Sequence, residues 1–460
     1  MNENLKTLKR NTILIAIANI GSRAISFILA PLYSYYLTTE QYGTMDLITT
    51  TCSLIGPLVC LDIYEATFRF TKDEKYDNKH VISTSLIVCI VELVLCGIIF
   101  AGYSAFRPIR LSVLVCAVSA VVESIQCTLT QYARGKDKIS IFAFSGVLHS
   151  IVILLANVLF LIALRMELIG WMISFVLAKV VVLVYLSFRL KIWKDLSIGF
   201  FDKVFLRDAL RFSLPLMPSA SMWWIMNASD RYILSFYWGV AATGIYAVAA
   251  KLPSILSVFE NVFYQAWQTT AIDTLNQEDR EKLYSDIFRN YFRVMAVGVI
   301  GILVILKPLI LLLFSKEYHD GWLPASILVI GVMIHALGGN IGVLYTVFKD
   351  TKGALKTSFI GAVTNIILNF IFIPKFGMIA AACTTLVGYI AVLSVRWIDI
   401  RKFVRLQFLL KDESVTIVLI VAQFILYYVP GIVSYIIRTA ILCVAMYMSK
   451  DIILKLIKRR

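Results

Sequence analysis

Arg189-Leu-Lys-Ile-Trp-Lys-Asp-Leu-Ser-Ile-Gly-Phe-Phe-Asp-Lys-Val-Phe-Leu-Arg-Asp-Ala-Leu-Arg211 is the longest polar stretch in the chain. It carries six lysines and arginines (Arg189, Lys191, Lys194, Lys203, Arg207 and Arg211). Almost everything on either side of it is apolar. Of 460 residues, 59% are hydrophobic and only 16% are charged. A soluble domain carries about 25% charged residues, so this chain could not cover a water-facing surface. Crossing a bilayer as a helix takes about 20 mostly apolar residues. On that template the sequence predicts fourteen spans, at about 12–37, 44–66, 81–103, 111–132, 141–163, 168–188, 212–236, 243–270, 294–314, 322–346, 357–373, 377–396, 415–430 and 434–452. The last two are separated only by a short hairpin at Pro430-Gly431.

The basic residues test this map independently of hydropathy. With the N-terminus placed in the cytoplasm, 32 lysines and arginines fall in inner segments and 5 (Arg107, Arg110, Arg165, Lys316, Lys375) in outer loops. That is the bias the positive-inside rule demands, with both ends cytoplasmic. The net charge of +15 is therefore read as basic residues gathered on one membrane face, not as a nucleic-acid surface. The basic start at Lys6, Lys9 and Arg10 runs into a span longer than a signal h-region, so no cleavable signal is expected. The eight cysteines lie in apolar stretches without a C-x-x-C pair, and read as buried hydrophobes. No G-x-x-x-x-G-K-[ST] phosphate loop occurs, and the short loops leave no room for a nucleotide-binding domain or an outer catalytic loop. No catalytic residue, metal or cofactor is expected.

The polar linker separates two halves that echo each other. Leu37-Thr-Thr-Glu-Gln-Tyr-Gly43 before the second span corresponds to Trp238-Gly-Val-Ala-Ala-Thr-Gly244 before the eighth. Tyr132-Ala-Arg-Gly-Lys136-Asp137-Lys138 corresponds to Tyr345-Thr-Val-Phe-Lys349-Asp350-Thr-Lys352. Each pair sits on one membrane side, which predicts a parallel repeat with substrate between lobes that rock in alternating access. The predicted fold is an all-α integral membrane protein of about 14 transmembrane helices, in two pseudo-symmetric six-helix lobes plus a C-terminal helix pair. The boundaries are an N-terminal lobe at 1–190, a cytoplasmic linker at 191–211, a C-terminal lobe at 212–400 and the terminal pair at 412–460.

Several landmarks resemble a known family. They are Lys9-Arg-Asn-Thr12, Pro31-Leu-Tyr-Ser-Tyr-Tyr-Leu-Thr-Thr-Glu40-Gln-Tyr-Gly43, Leu210-Arg-Phe-Ser-Leu-Pro215-Leu-Met-Pro218, Asp230-Arg231-Tyr-Ile-Leu234 and Gly244-Ile-Tyr-Ala-Val-Ala-Ala-Lys251. In this order they resemble the Wzx-type repeat-unit flippases, the polysaccharide branch of the multidrug/oligosaccharidyl-lipid/polysaccharide exporter superfamily. The resemblance implies a flippase that moves undecaprenyl-pyrophosphate-linked oligosaccharide from the cytoplasmic to the outer leaflet, for capsule, exopolysaccharide or O-antigen synthesis. It also implies a bacterial cytoplasmic membrane location. The partners it implies are the lipid-linked oligosaccharide, membrane lipids and the pathway's glycan polymerase and glycosyltransferases; a monomer is the default expectation for the chain itself. A peptidoglycan lipid-precursor or teichuronic-acid-type flippase, and a cation-coupled multidrug exporter, are the alternatives.

Charges inside spans are expensive and face a cavity or one another. A pyrophosphate calls for arginine as a bidentate partner and lysine as a point charge. Arg23, Lys179 and Lys251 are the candidates for a cationic cavity; Arg23 alternatively forms an ion pair, with Asp62 within reach. Arg23 and Lys251 lie on the inter-lobe helices that the resemblance implies. Asp62, Glu92, Glu123, Asp230, Arg231 and Glu260 are candidates for ion pairing or coupling, with Asp230 and Arg231 read as a local pair. His149 and His335 are read as satisfied by their neighbours. Prolines inside helices remove a backbone bond and bend them, so Pro31, Pro215 and Pro218 are hinge candidates, with Pro253 in span eight. Static kinks would serve packing equally. Tyr33, Tyr35, Tyr36, Trp223, Trp224, Tyr237 and Trp238 read as an interface belt, and Lys455, Lys458, Arg459 and Arg460 suit anionic headgroups.

Overall fold

A computed structural model describes residues 21–73, 75–106, 110–214, 217–408 and 410–452. Pro215, the basic opening at Lys6, Lys9 and Arg10, Arg107 and the closing run from Lys455 to Arg460 lie outside the described residues. The described residues are helical, with no strand among them. They divide into two compact units between Ser221 and Met222.

The first unit holds α1 (21–36), α2 (Thr39–Val59), α3 (Ile63–Thr71), α4 (Asn78–Phe106), α5 (Leu111–Gly135), α6 (Ile139–Asn157), α7 (Glu167–Leu190) and α8 (Lys203–Ser213). α6 ends in a π-helical turn, Val158–Ala163. The predicted second span is broken: α2 and α3 part where Leu61 (φ 54°) and Asp62 (φ 52°) take left-handed backbone. α3 packs close to α5 because Gly135 has no side chain; a Cβ there would lie 2.7 Å from Thr71 Cβ. Ile82, Leu86, Leu129, Tyr132, Val182 and Leu186 form one core of this unit, where α4, α5 and α7 meet.

α8 is an amphipathic helix in the linker. Asp202 caps it, accepting from the Val204 and Phe205 backbone N–H at 2.7 and 3.1 Å. Phe205 and Ala209 are fully buried. Asp208 clasps the helix to the segment before α4: the Tyr76 hydroxyl donates to it, and Lys75 Nζ lies 3.2 Å away. The Tyr76 hydroxyl, followed by Lys75, holds the Asp208 carboxyl below the usual carboxylate range. A carboxyl depressed in the folded state favours that state above its unfolded pKa of about 3.9, and the benefit is lost as pH falls through the depressed value. Protection of the α8 amides, taken relative to the unstructured exchange rate at the same pH, is therefore expected to fall as the pH drops below about 4. In Asp208→Asn the protection should already be low at neutral pH and change little on acidification.

The second unit begins within α9 (Met217–Trp238). It continues with α10 (Val240–Lys251), α11 (Ser254–Asp273), α12 (Arg280–Leu313), α13 (Trp322–Val347), α14 (Thr351–Asp399), α15 (Leu410–Tyr427) and α16 (Ile432–Met448). α10 and α11 form an apolar helix pair bent by 51° at Leu252-Pro253. α14 has 49 residues, about 74 Å at 1.5 Å per residue, far more than the roughly 30 Å of a hydrocarbon core. It breaks at Gly377 (φ 56°, ψ −133°), between the two predicted spans 357–373 and 377–396. Trp238 fills the break: its indole N–H donates to the Ile373 carbonyl at 2.8 Å, and its ring would lie 3.0 Å from any Cβ on residue 377. Gly431 (φ 114°) forms the turn between α15 and α16.

Among the described residues, seven helices are long and apolar enough to cross a membrane, with the bent α10–α11 pair an eighth if it crosses as one span. The chain is thus an all-helical, multi-pass membrane protein. The terminal pair is fixed to its unit by polar bonds. Arg293 Nε donates to both Glu413 carboxylate oxygens at 2.9 and 3.0 Å, with its Nη2 2.7 Å from Oε1, and Arg438, buried between Tyr427 and Tyr435, donates to the Leu303 carbonyl.

Candidate functional site: a polar cavity in the first unit

The first unit contains a half-open cavity of about 640 Å³. Three helices supply most of its wall. α5 contributes Glu123, Ser124, Gln126, Cys127, Thr130 and Gln131, a spacing that keeps most of them on one face of a 3.6-residue helix. α6 contributes Ser145, His149 and Ser150 among others, and α1 contributes Ser22, Arg23 and Ser26. Ser53, Cys60 and Tyr64 close it from the region of α2 and α3. Ten of the eighteen lining residues carry a hydroxyl or a carboxamide, set in a wall that is otherwise largely apolar. A polar group on that wall is tolerated against lipid tails only where the protein itself satisfies it.

Some of these groups are already engaged. Ser22 donates to the Gly146 carbonyl at 3.1 Å, joining α1 to α6. Ser124 donates to Glu92 at 2.6 Å, so Glu92 stands behind the wall as an acceptor. Two amide oxygens are not engaged: Gln126 Oε1 and Gln131 Oε1 are buried with no hydrogen-bond partner among the described residues. A buried, unmatched acceptor is costly unless water or a ligand meets it.

The charges are arranged asymmetrically. Arg23 is exposed and lines the cavity. It makes no ion pair with Asp62 among the described residues; Asp62 instead sits at the N-terminus of α3, in the α2–α3 break. That corrects the alternative pairing of the two. Lys179 does not line the cavity. Its side chain, 6% exposed, is ion-paired with Glu123 and lies 4.4 Å from the Phe175 ring centroid. Glu123, 34% exposed, therefore stands between Lys179 and the cavity space. Lys179 is a paired cation, not an open one, because the carboxylate that neutralises it lies one helix away on α5.

The other candidates sit in the second unit. Lys251 ends α10 at the 51° bend. Asp230 is buried; its carboxylate accepts from the Tyr246 hydroxyl at 2.6 Å, the Arg231 backbone N–H at 2.9 Å and the Thr385 hydroxyl at 3.3 Å. It anchors a polar network through Asn365, Asn369 and Ser229. Glu260 pairs with His335 Nδ1 at 2.8 Å, and His335 lies between Trp223 and Tyr389 at 5.1 and 5.0 Å. Pro31 lies inside α1, and Pro218 lies in α9, whose start adjoins residues outside the described ones. The described bend falls at Leu252-Pro253, between α10 and α11.

The belt reading also changes at two positions. Tyr33 is 7% exposed and packs edge-on against Tyr42. Trp223 faces His335 and the Arg396 guanidinium, the latter at 5.2 Å. Arg396 is buried, donating to the Gly338 carbonyl at 2.8 Å and to Ser358 and Thr357 at 3.1 and 3.2 Å. Its position at the end of an apolar run was the available signal.

Residues 8–268 match the family described as "Polysaccharide biosynthesis protein", more than half of the chain. The chain belongs to this family. The match agrees with the resemblance to Wzx-type flippases read from the sequence landmarks. As a polysaccharide biosynthesis protein it has further relatives among curated proteins. It is 21% identical to the capsular polysaccharide biosynthesis protein CapF of Staphylococcus aureus, over 82% of this chain and 96% of that one. It is 25% identical to an uncharacterized membrane protein, MJ1068, of Methanocaldococcus jannaschii, over 56% of this chain and about half (55%) of that one. Among solved structures, the lipid II flippase MurJ in an inward closed conformation superposes with a TM-score of 0.69 at 15% identity, over 96% of this chain and 99% of that one. An inward-facing multidrug resistance MATE transporter gives 0.67 at 14% identity, over 83% and 95%. At these identities the likeness is one of fold.

Proposed function

We propose that this protein is a flippase that carries a polyprenyl-pyrophosphate-linked oligosaccharide across the bacterial cytoplasmic membrane by alternating access. It is read with fourteen spans, as two six-helix lobes and a terminal pair, and with both termini cytoplasmic. The observation that carries the reading is the cavity wall. Its hydroxyl and amide groups can exchange hydrogen bonds with sugar hydroxyls. Arg23, its exposed cation, suits a phosphate oxygen. The family match and the names of CapF and MurJ support the same class of cargo. A cavity for cationic drugs would need an unpaired acid, whereas Glu123 is already committed to Lys179.

The test is a leaflet assay in the native host. Deleting the protein is expected to leave lipid-linked oligosaccharide on the cytoplasmic leaflet, and the wild-type chain should clear it. Normal leaflet distribution together with new drug sensitivity would overturn the reading in favour of an exporter.

A further inference from the structure

We infer that the exposed face of α8 is a docking surface for anionic phospholipid headgroups of the adjoining leaflet. Lys203, Arg207 and Arg211 recur every four residues and are all exposed, while Phe205, Ala209 and Ser213 on the opposite side are buried. At 100° per residue, the three cations share one arc with Val204 and Leu214, which are 60% and 45% exposed. Cations flanked by exposed aliphatic side chains are what a helix lying in a headgroup layer presents. The acid within α8, Asp208, is turned away and held by Tyr76 and Lys75. The arc carries three positive charges, of which Arg211 is partly offset by Asp208, and this excess favours an anionic occupant. Just upstream, exposed Lys191, Trp193 and Lys194 extend the same chemistry.

The surface is wired to the cavity. Phe205 and Phe212 pack edge-on against Phe70 of α3 at 5.7 and 6.1 Å. The N-terminal end of α3 carries Tyr64, and Cys60 precedes it; both line the cavity. A headgroup layer that holds α8 thus steadies one wall of the cavity.

The experiment is amide exchange on the full-length protein in nanodiscs, with no transport readout, so that it fails or succeeds independently of the proposed cargo. Each basic residue near an anionic surface is worth about fivefold in binding. Exchange across 203–214 is expected to be on the order of tenfold slower in phosphatidylcholine–phosphatidylglycerol discs than in phosphatidylcholine alone. The protection should vanish at about 1 M salt, where the screening length is about 3 Å. It should also vanish in the triple variant Lys203→Gln, Arg207→Gln, Arg211→Gln; unchanged protection of α5 shows that this variant is folded. Equal exchange in the two lipids overturns the inference. So does equal protection by inorganic pyrophosphate in phosphatidylcholine discs, which would mark a soluble-phosphate site.

Discussion

Glu123→Ala is expected to destabilise the first unit by about 3 kcal/mol, because it strands the Lys179 ammonium. Lys179 is 6% exposed, and its polar partner is Glu123; its other close neighbour is the ring of Phe175. Removing one member of a buried pair leaves a charge that neither protein nor lipid solvates, whereas replacing both by neutral groups of similar size costs far less. The double variant Glu123→Gln, Lys179→Met should therefore recover most of what Glu123→Ala loses. Thermal unfolding of the purified protein in detergent checks both. If Glu123→Ala melts like wild type, cavity water reaches Lys179 and the pair is not structural. If the double variant is no better than the single one, the loss comes from packing and not from a stranded charge.

The pair also shows where the sequence stops being readable. Glu123 and Lys179 each stand out as charges inside apolar runs, so both were candidates; that they meet was hidden, because they lie 56 residues apart on different helices. The membrane class and most helices were legible for a simple reason. A lipid-facing helix must be apolar over about 20 residues whatever its partners, and the glycines at 377 and 431 mark breaks that only a residue without Cβ takes easily. The α2–α3 break was not legible. It falls at Leu61 and Asp62, neither of which announces a left-handed backbone. α12 begins at Arg280, well before the predicted 294, because polar first turns do not register in hydropathy. The cavity wall was hidden for another reason. Ser145, Ser150 and Thr130 each donate to a carbonyl of their own helix, at 2.7, 3.0 and 2.7 Å. A hydroxyl satisfied that way is tolerated anywhere along an apolar helix. Only the assembled bundle reveals that such positions converge.

Arg23→Ala is expected to slow flipping by about ten- to a hundredfold at unchanged protein level. A hydrogen bond to a charged group is worth about 1.5–3 kcal/mol, and arginine can offer two parallel ones to a phosphate. Arg23 is exposed and lines the cavity, so its loss should leave the fold intact, unlike the loss of Glu123. Lysine keeps the charge but not the planar fork; Arg23→Lys should therefore fall between wild type and alanine. The leaflet distribution of lipid-linked oligosaccharide in complemented cells, with protein level measured alongside, is the readout. Full clearance by Arg23→Ala would remove Arg23 from substrate recognition while leaving the flippase reading in place. Failure of Arg23→Lys to improve on alanine would mean that the fork matters and the charge does not. That outcome would point to a planar, bidentate contact with phosphate and not to general attraction.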